Sequence, residues 1–223
     1  MYRFDSDKIL RIPAFEAFPW LEHGFGTKGS GGWPPEDARA TVKQIHSTRV
    51  TVASEPGILG EGDALVTATV GLWVAIKTAD CIPVLLVDPE RRVVAAAHAG
   101  WRGTAGNIVR STIDAMMAEF HTKPGDLWAA IGPGIRKCCY EVSGDVAVQF
   151  ARWLPELAGS ADGTMLDLTE VNRRQLVEAG VPVEHVSGTT GVSWCTKCEA
   201  GTLHSFRRDQ EESGRMLSAI RVL

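Results

Sequence analysis

Three segments of the chain set reactive side chains beside apolar runs. They are Lys43-Gln44-Ile45-His46-Ser47, KTADCIPVLL with Asp80 and Cys81, and AAAHAGWRGT with His98. Two imidazoles and one thiolate make a three-donor set for zinc, and such a set leaves a fourth position open for water or substrate, as a catalytic centre requires. Copper accepts the same donors. Each residue taken alone has a plainer reading, because free cysteine packs like a small hydrophobe, and the separations between the three match no local metal motif. Cys81 falls at the break between two apolar runs and His98 at the end of another. Strand ends and the loops after them are where side chains converge on pockets.

The segment His98–Thr104 carries a second message. Glycines ahead of a helix expose backbone N–H groups to an anion, and Arg102 offers a charged fork for phosphate or carboxylate. The alternative is a tight strand-to-helix turn with a surface arginine. Cys195-Thr196-Lys197-Cys198 is a single CxxC. A structural zinc there needs a second pair, which Cys138, Cys139 or His204 would have to supply, and a redox role needs a helix start that the pattern lacks. Packing or pocket lining is the favoured reading. His23, His121 and His185 read as incidental.

Positioning these residues falls to a chain with the make-up of one domain, 1–223. It has 223 residues, 44% of them hydrophobic, and a net charge of −4; this supports a sizeable core and excludes the basic face of a nucleic-acid binder. The first twenty residues lack a basic segment followed by an apolar run, so no signal peptide is expected. The longest apolar stretch is broken by Lys77, Asp80 and Pro83, which rules out a membrane span. Five cysteines, an odd number, suit reduced thiols in the cytoplasm. A monomer is the default.

Leu72–Lys77, Ile82–Asp88 and Val93–His98 read as strands, apolar throughout, so their sheet is expected to be covered on both faces. Ile108, Val109, Ile113, Met116, Met117 and Phe120 share a helical face, which predicts a helix from about Thr104. Leu127–Ile131 reads as a strand, Ser143 as the cap of a helix to about Leu154, and Asp167 or Thr169 as the start of a helix that Gly180 ends. Val183–Val186, Thr202–Arg207 and Met216–Leu223 read as closing strands. Lys28–Asp37 is dense in Gly and Pro and reads as a surface loop. An α+β layered fold fits this order.

The segments KQIHSTRV, GDALVT, KTADCIPVLLVDP, VAAAHAGWRGTAGNIV, IGPGIRKCCYEV, CTKC and HSFRRDQEESGRMLSAIRVL together resemble the laccase-domain or polyphenol oxidase family, also called the peptidoglycan editing factor or purine nucleoside phosphorylase family, from about residue 20 onward. The resemblance implies a four-layer α-β-β-α sandwich with mixed sheets. It also implies a zinc held by His46, Cys81 and His98. The activities it implies are phosphorolysis of adenosine, inosine, guanosine and methylthioadenosine, and deamination of adenosine. In two places the chain departs from the family pattern. Gly24-Phe25-Gly26-Thr27-Lys28-Gly29 has lysine where the family has arginine, and the stretch between it and KQIHS is shorter and lacks a helix often found there.

On this reading Cys81, His98 and Asp80 are the candidate catalytic residues. Lys28, Lys43, Arg102 and Arg207 are candidate anion contacts, with Gln44 and Asp63 beside them as candidate substrate contacts. Asp80 or Asp63 would shuttle protons in a deamination, although Asp80 is preferred as the partner of a ligating histidine. The zinc base-deaminase pattern H-x-E is absent, since Ser47 and Thr48 follow His46. Six histidines without a His-x-His pair do not make a multinuclear copper centre, so Cu2+ at the same three residues is the copper alternative, with phenol oxidation as its chemistry. Two other classes stand beside the metalloenzyme. One is a cysteine hydrolase with Cys81 as nucleophile, the other a non-catalytic peptidoglycan quality-control factor.

Overall fold

The computed structural model of the protein describes residues 2–188 and 194–223, and two mixed β-sheets packed face to face dominate it. The seven-stranded sheet runs Arg3–Phe4, Leu10–Arg11, Leu21–Phe25, Met216–Val222, Trp73–Thr78, Arg39–Lys43, Gly57–Glu61. The six-stranded sheet runs Val186–Ser187, Trp128–Ile131, Ile82–Asp88, Val93–Ala99, Ala64–Thr67, Val50–Val52.

The alternation of side chains along a strand explains why the central strands are apolar at every position. In Ile82–Asp88, Leu85 and Val87 face the other sheet and join Val74, Ile76, Ile220 and Val222 in one core. Ile82, Val84 and Leu86 point the other way and join Ile108, Val109, Ile113, Met116, Val171 and Leu176 of two helices in a second core. The outer face of the seven-stranded sheet is covered more thinly. There Trp73, Ala75 and Ala219 meet Trp33 and Ala38 of the Lys28–Ala38 segment, whose regular structure is the single 3-10 turn Glu36–Ala38. The expected α-β-β-α order is met on one side only: helices cover the six-stranded sheet, while a loop with one 3-10 turn lies on the outer face of the seven-stranded sheet.

Several elements differ from expectation. The helix expected from Thr104 is two helices, Trp101–Ala105 and Ile108–Phe120. Asn107 separates them in the left-handed conformation (φ 63°) and its side chain accepts the Arg110 N–H. Thr202–Arg207 is no strand: its chain turns and enters the short helix Phe206–Asp209, which Ser205 caps by accepting from Arg208 N–H. Val183–His185 is a 3-10 turn before the two-residue strand Val186–Ser187. The helix after Ser143 stops at Ala147 and continues as a 3-10 turn to Phe150. Among the described residues no helix is long and apolar enough to cross a membrane.

His23 is part of the core rather than incidental. Its Nε2 accepts the Ile12 N–H at 2.8 Å, and its ring meets Phe15 edge-on. Burial, reinforced by the charge of Arg11, brings its pKa down from 6.5 to about 3. The unfolded chain therefore takes up a proton at His23 below about pH 6.5 while the native protein does not, and stability rises with pH across that window. The unfolding free energy from urea titrations should fall between pH 7.5 and pH 5, by up to about 1.4 kcal/mol per pH unit from this residue. His23→Gln, which keeps an acceptor for Ile12, should flatten that dependence; an unchanged slope in the variant would contradict the assignment.

Candidate metal centre and its pocket

His98 sits near the end of Val93–Ala99, opposite Pro83 of the hairpin partner strand Ile82–Asp88. Cys81 immediately precedes that partner strand, so the hairpin itself brings thiol and imidazole together. His46 comes from the loop after Arg39–Lys43. The donor atoms of His46, Cys81 and His98 all lie within 4.8 Å of one another, and the two imidazole rings meet edge to face with centroids 4.9 Å apart. The three residues expected to bind metal are thus a single group able to hold an ion.

Asp63 organises this group. Its buried carboxylate accepts from His46 N–H at 3.0 Å, Ser47 N–H at 2.6 Å, Ser47 Oγ at 2.7 Å and Ile45 N–H at 3.3 Å, and it pairs with His98 Nδ1 at 2.8 Å. Its backbone carbonyl also accepts the His98 N–H. Nδ1 of His98 is thereby committed to the carboxylate, which leaves Nε2 as the free donor. Asp63 was expected to touch substrate; its carboxylate is instead buried beneath the donors and taken up by them. Asp80, the expected histidine partner, is placed elsewhere. Its carboxylate accepts from Thr196 Oγ1 at 2.5 Å and Arg207 N–H at 2.6 Å, and its carbonyl from Ile135 N–H at 2.8 Å. It lines the pocket while tying the loop wall to the Cys81 turn.

The charges of the group are coupled. Burial pushes the Cys81 thiol up, but hydrogen bonds from His46 and His98 outweigh it and bring the thiol down to about 6. Burial likewise opposes the charge on His98, yet its bonds to Asp63 and Cys81 raise it to about 9. Both shifts favour a thiolate on Cys81 beside an imidazolium on His98. Such a thiolate is the form a metal ion binds.

The glycines after His98 serve close packing. A Cβ on Gly100 would stand 3.0 Å from Cys81 Sγ and 3.0 Å from His46 Cδ2, and one on Gly106 would stand 2.7 Å from Thr48 Cγ2. The helical turn Trp101–Ala105 can lie against the His46 loop because these side chains are absent. The helix that follows Gly100 has five residues, Trp101–Ala105. Arg102 is exposed, stacks on the Trp101 ring at 4.3 Å, and does not line the pocket.

A cavity of about 600 Å3 opens over the three donors. Trp101, Tyr140 and Phe206 supply aromatic surface and Lys43, Lys77, Arg207 and Arg215 positive charge. Of the expected contacts, Lys43, Gln44, Asp80 and Arg207 line it. Gln44 spends its amide on both backbone groups of Lys77, at 2.8 and 2.7 Å. Lys43 pairs with Glu61 at 2.9 Å, and Arg207 donates to the Glu141 carbonyl while stacking on Tyr140. Lys28 lies outside, donating to the Ala200 carbonyl. Tyr140, Phe206 and Arg215 escaped the sequence reading as pocket residues, although CCYEV, HSFRRD and SGRM are among the ordered motifs that contain them. The remaining histidines are dispersed: His121 closes a helix, His185 stacks on Trp128 and His204 packs at Gly214. Among the described residues, His46 and His98 are the histidines that share a ligand group.

Residues 29–223 match the family described as multi-copper polyphenol oxidoreductase laccase. A Deinococcus radiodurans protein named purine nucleoside phosphorylase is 43% identical over 189 residues, which cover 82% of this chain and 70% of that one. A protein from an unknown prokaryotic organism, named adenosine deaminase RL5, is 35% identical over 194 residues, covering 80% and 72% respectively. The crystal structure of the Bacillus licheniformis hypothetical protein YfiH superposes with a TM-score of 0.87 at 30% identity, over 100% of this chain and 99% of that one. With a family match that spans most of the sequence and relatives alike over four-fifths of it, the chain belongs to the laccase-like family of multi-copper polyphenol oxidoreductases.

Proposed function

We propose that the protein is a zinc-dependent purine nucleoside phosphorylase with a secondary adenosine deaminase activity. One observation carries this reading: the three-donor group lies in a cavity of about 600 Å3 with aromatic and cationic walls. That volume and lining suit a flat purine, a ribose and an anion together. The names of the relatives from Deinococcus radiodurans and the unknown prokaryote support the same two reactions.

The donor set fits zinc, since two imidazoles and one thiolate leave a fourth ligand position open. His46, Cys81 and His98 would hold the ion, and when bound it supplies Lewis acidity toward an oxygen of phosphate or water. The rest is the work of the chain. Trp101, Tyr140 and Phe206 offer rings for the purine to stack on. Lys43, Arg207 and Arg215 bring positive charge to an incoming phosphate dianion. In phosphorolysis the bond from ribose C1′ to the purine nitrogen breaks, a phosphate oxygen bonds to C1′, and the base leaves once protonated. The Tyr140 hydroxyl, which burial keeps protonated up to about 12, is a donor at the pocket wall.

The ion pair of Cys81 with His98 favours a second reading, a cysteine hydrolase in which the free thiolate attacks. A thiolate bound to zinc is a poor nucleophile, so metal content separates the two. A non-catalytic quality-control role would show itself as no turnover of any purine nucleoside.

Incubation with adenosine and phosphate should yield adenine and ribose 1-phosphate, with inosine and ammonia as minor products that do not need phosphate. Cys81→Ala should lose zinc and at least about 100-fold in turnover. Activity in metal-free protein, or none in zinc-loaded protein, would overturn the reading. Asp63→Asn should weaken zinc binding by about 10- to 100-fold in competition against a chromophoric chelator. Unchanged affinity in that variant would mean that Asp63 does not position His98.

A further inference from the structure

The CxxC at Cys195–Cys198, for which packing or pocket lining is the favoured reading from sequence, meets a second pair of cysteines in the fold. Cys138, Cys139, Cys195 and Cys198 bring their four sulfurs within 4.8 Å of one another. Cys139 Sγ lies 3.4 Å and Cys138 Sγ 4.0 Å from Cys198 Sγ. These separations are far beyond the sulfur–sulfur bond of a disulfide, about 2.05 Å. They bracket the edge of a tetrahedron of four sulfurs around zinc, roughly 3.8 Å for Zn–S bonds of about 2.3 Å.

The backbone is folded to present them. Cys198 N–H and Glu199 N–H both close on the Cys195 carbonyl, at 3.1 and 2.9 Å, in a turn that carries both sulfurs of the CxxC. Cys139 N–H and Tyr140 N–H close on the Arg136 carbonyl, at 2.9 and 3.0 Å, in a matching turn for the adjacent pair. Arg136 N–H points at Cys195 Sγ at 3.5 Å, a contact that favours a thiolate there. Thr196 N–H to the Gly134 carbonyl clips one turn to the other.

We propose that these four cysteines form a second, structural zinc site, distinct from the His46–Cys81–His98 group. Four thiolates fill the tetrahedron and leave no open position, so the site stabilises without catalysing. Its place in the fold gives it a task. One turn leads directly into Tyr140, and the other precedes Phe206 and Arg207, so the ion staples together the two loops that wall the pocket. Cys138 and Cys198 are exposed while Cys195 is buried, so the site sits at the surface and is open to exchange with chelators.

The test is zinc content measured by mass spectrometry against protein sulfur, on protein expressed with added zinc and purified without chelator. The expected result is about two zinc ions per chain in the native sequence and about one in either Cys81→Ala or Cys198→Ser. X-ray absorption at the zinc edge of Cys81→Ala should show sulfur neighbours and no imidazole. Zinc absent from Cys81→Ala would overturn the proposal. So would a non-reduced mass lower by two hydrogens, which marks a disulfide at the cluster. If Cys198→Ser does not fold, the native protein and Cys81→Ala decide the question alone. A zinc retained in Cys81→Ala when the native protein also holds one would support this site while refuting zinc at the pocket, which keeps the two readings separable.

Discussion

The site depends on one buried carboxylate. Asp63 is fully enclosed, and an unpaired charge in that position would cost several kcal/mol. Four donor groups of the His46 loop and the ring of His98 converge on it, so the burial is compensated by bonds to an ionised acceptor, each stronger than a neutral one. The same bonds hold His46 in a left-handed backbone conformation (φ 58°), which costs about 1–2 kcal/mol for a residue with a Cβ. The loop cannot relax without stripping partners from the buried charge. Position and electrostatics are therefore a single constraint: the carboxylate that orients His98 is also what fixes where His46 stands.

Asp80 repeats this arrangement on the other side of Cys81. It too has a positive φ, 89°, and its carboxylate gathers Thr196 and the Arg207 backbone from the far loop. Cys81 thus lies between two acidic residues that do structural work in opposite directions, Asp63 toward the His46 loop and Asp80 toward the pocket wall. The glycines of the following turn complete the fit by leaving room where side chains would strike Cys81 and His46.

What could be read from the sequence was whatever a local pattern specifies. Apolar runs marked Ile82–Asp88 and Val93–Ala99 as strands covered on both faces, and donor chemistry singled out His46, Cys81 and His98. In the sequence Asp63 reads as a substrate contact or proton shuttle and Asp80, adjacent to Cys81, as the histidine partner; the roles of His98 partner and neighbour of Cys81 fall to different residues. Pairing across the Val93–Ala99 and Ala64–Thr67 ladder, invisible in one dimension, brings Asp63 under His98. Thr202–Arg207 reads as a strand, yet Leu203 and Ser205 are buried by loop packing, and Ser205 caps a helix. Lys28 drew attention as a departure from the family pattern, but its side chain turns to Ala200, away from the cavity.

The hairpin pairing of Cys81 and His98 has a consequence for the order of assembly. These two donors are joined by a short antiparallel connection, so the entropy of closing the loop between them is small and their contact can form early. His46 comes to them from the link between Arg39–Lys43 of the seven-stranded sheet and Val50–Val52 of the six-stranded one, so its place depends on a loop that passes from one sheet to the other. Two of the three donors thus belong to one locally closed hairpin, and the third comes from a loop between the sheets.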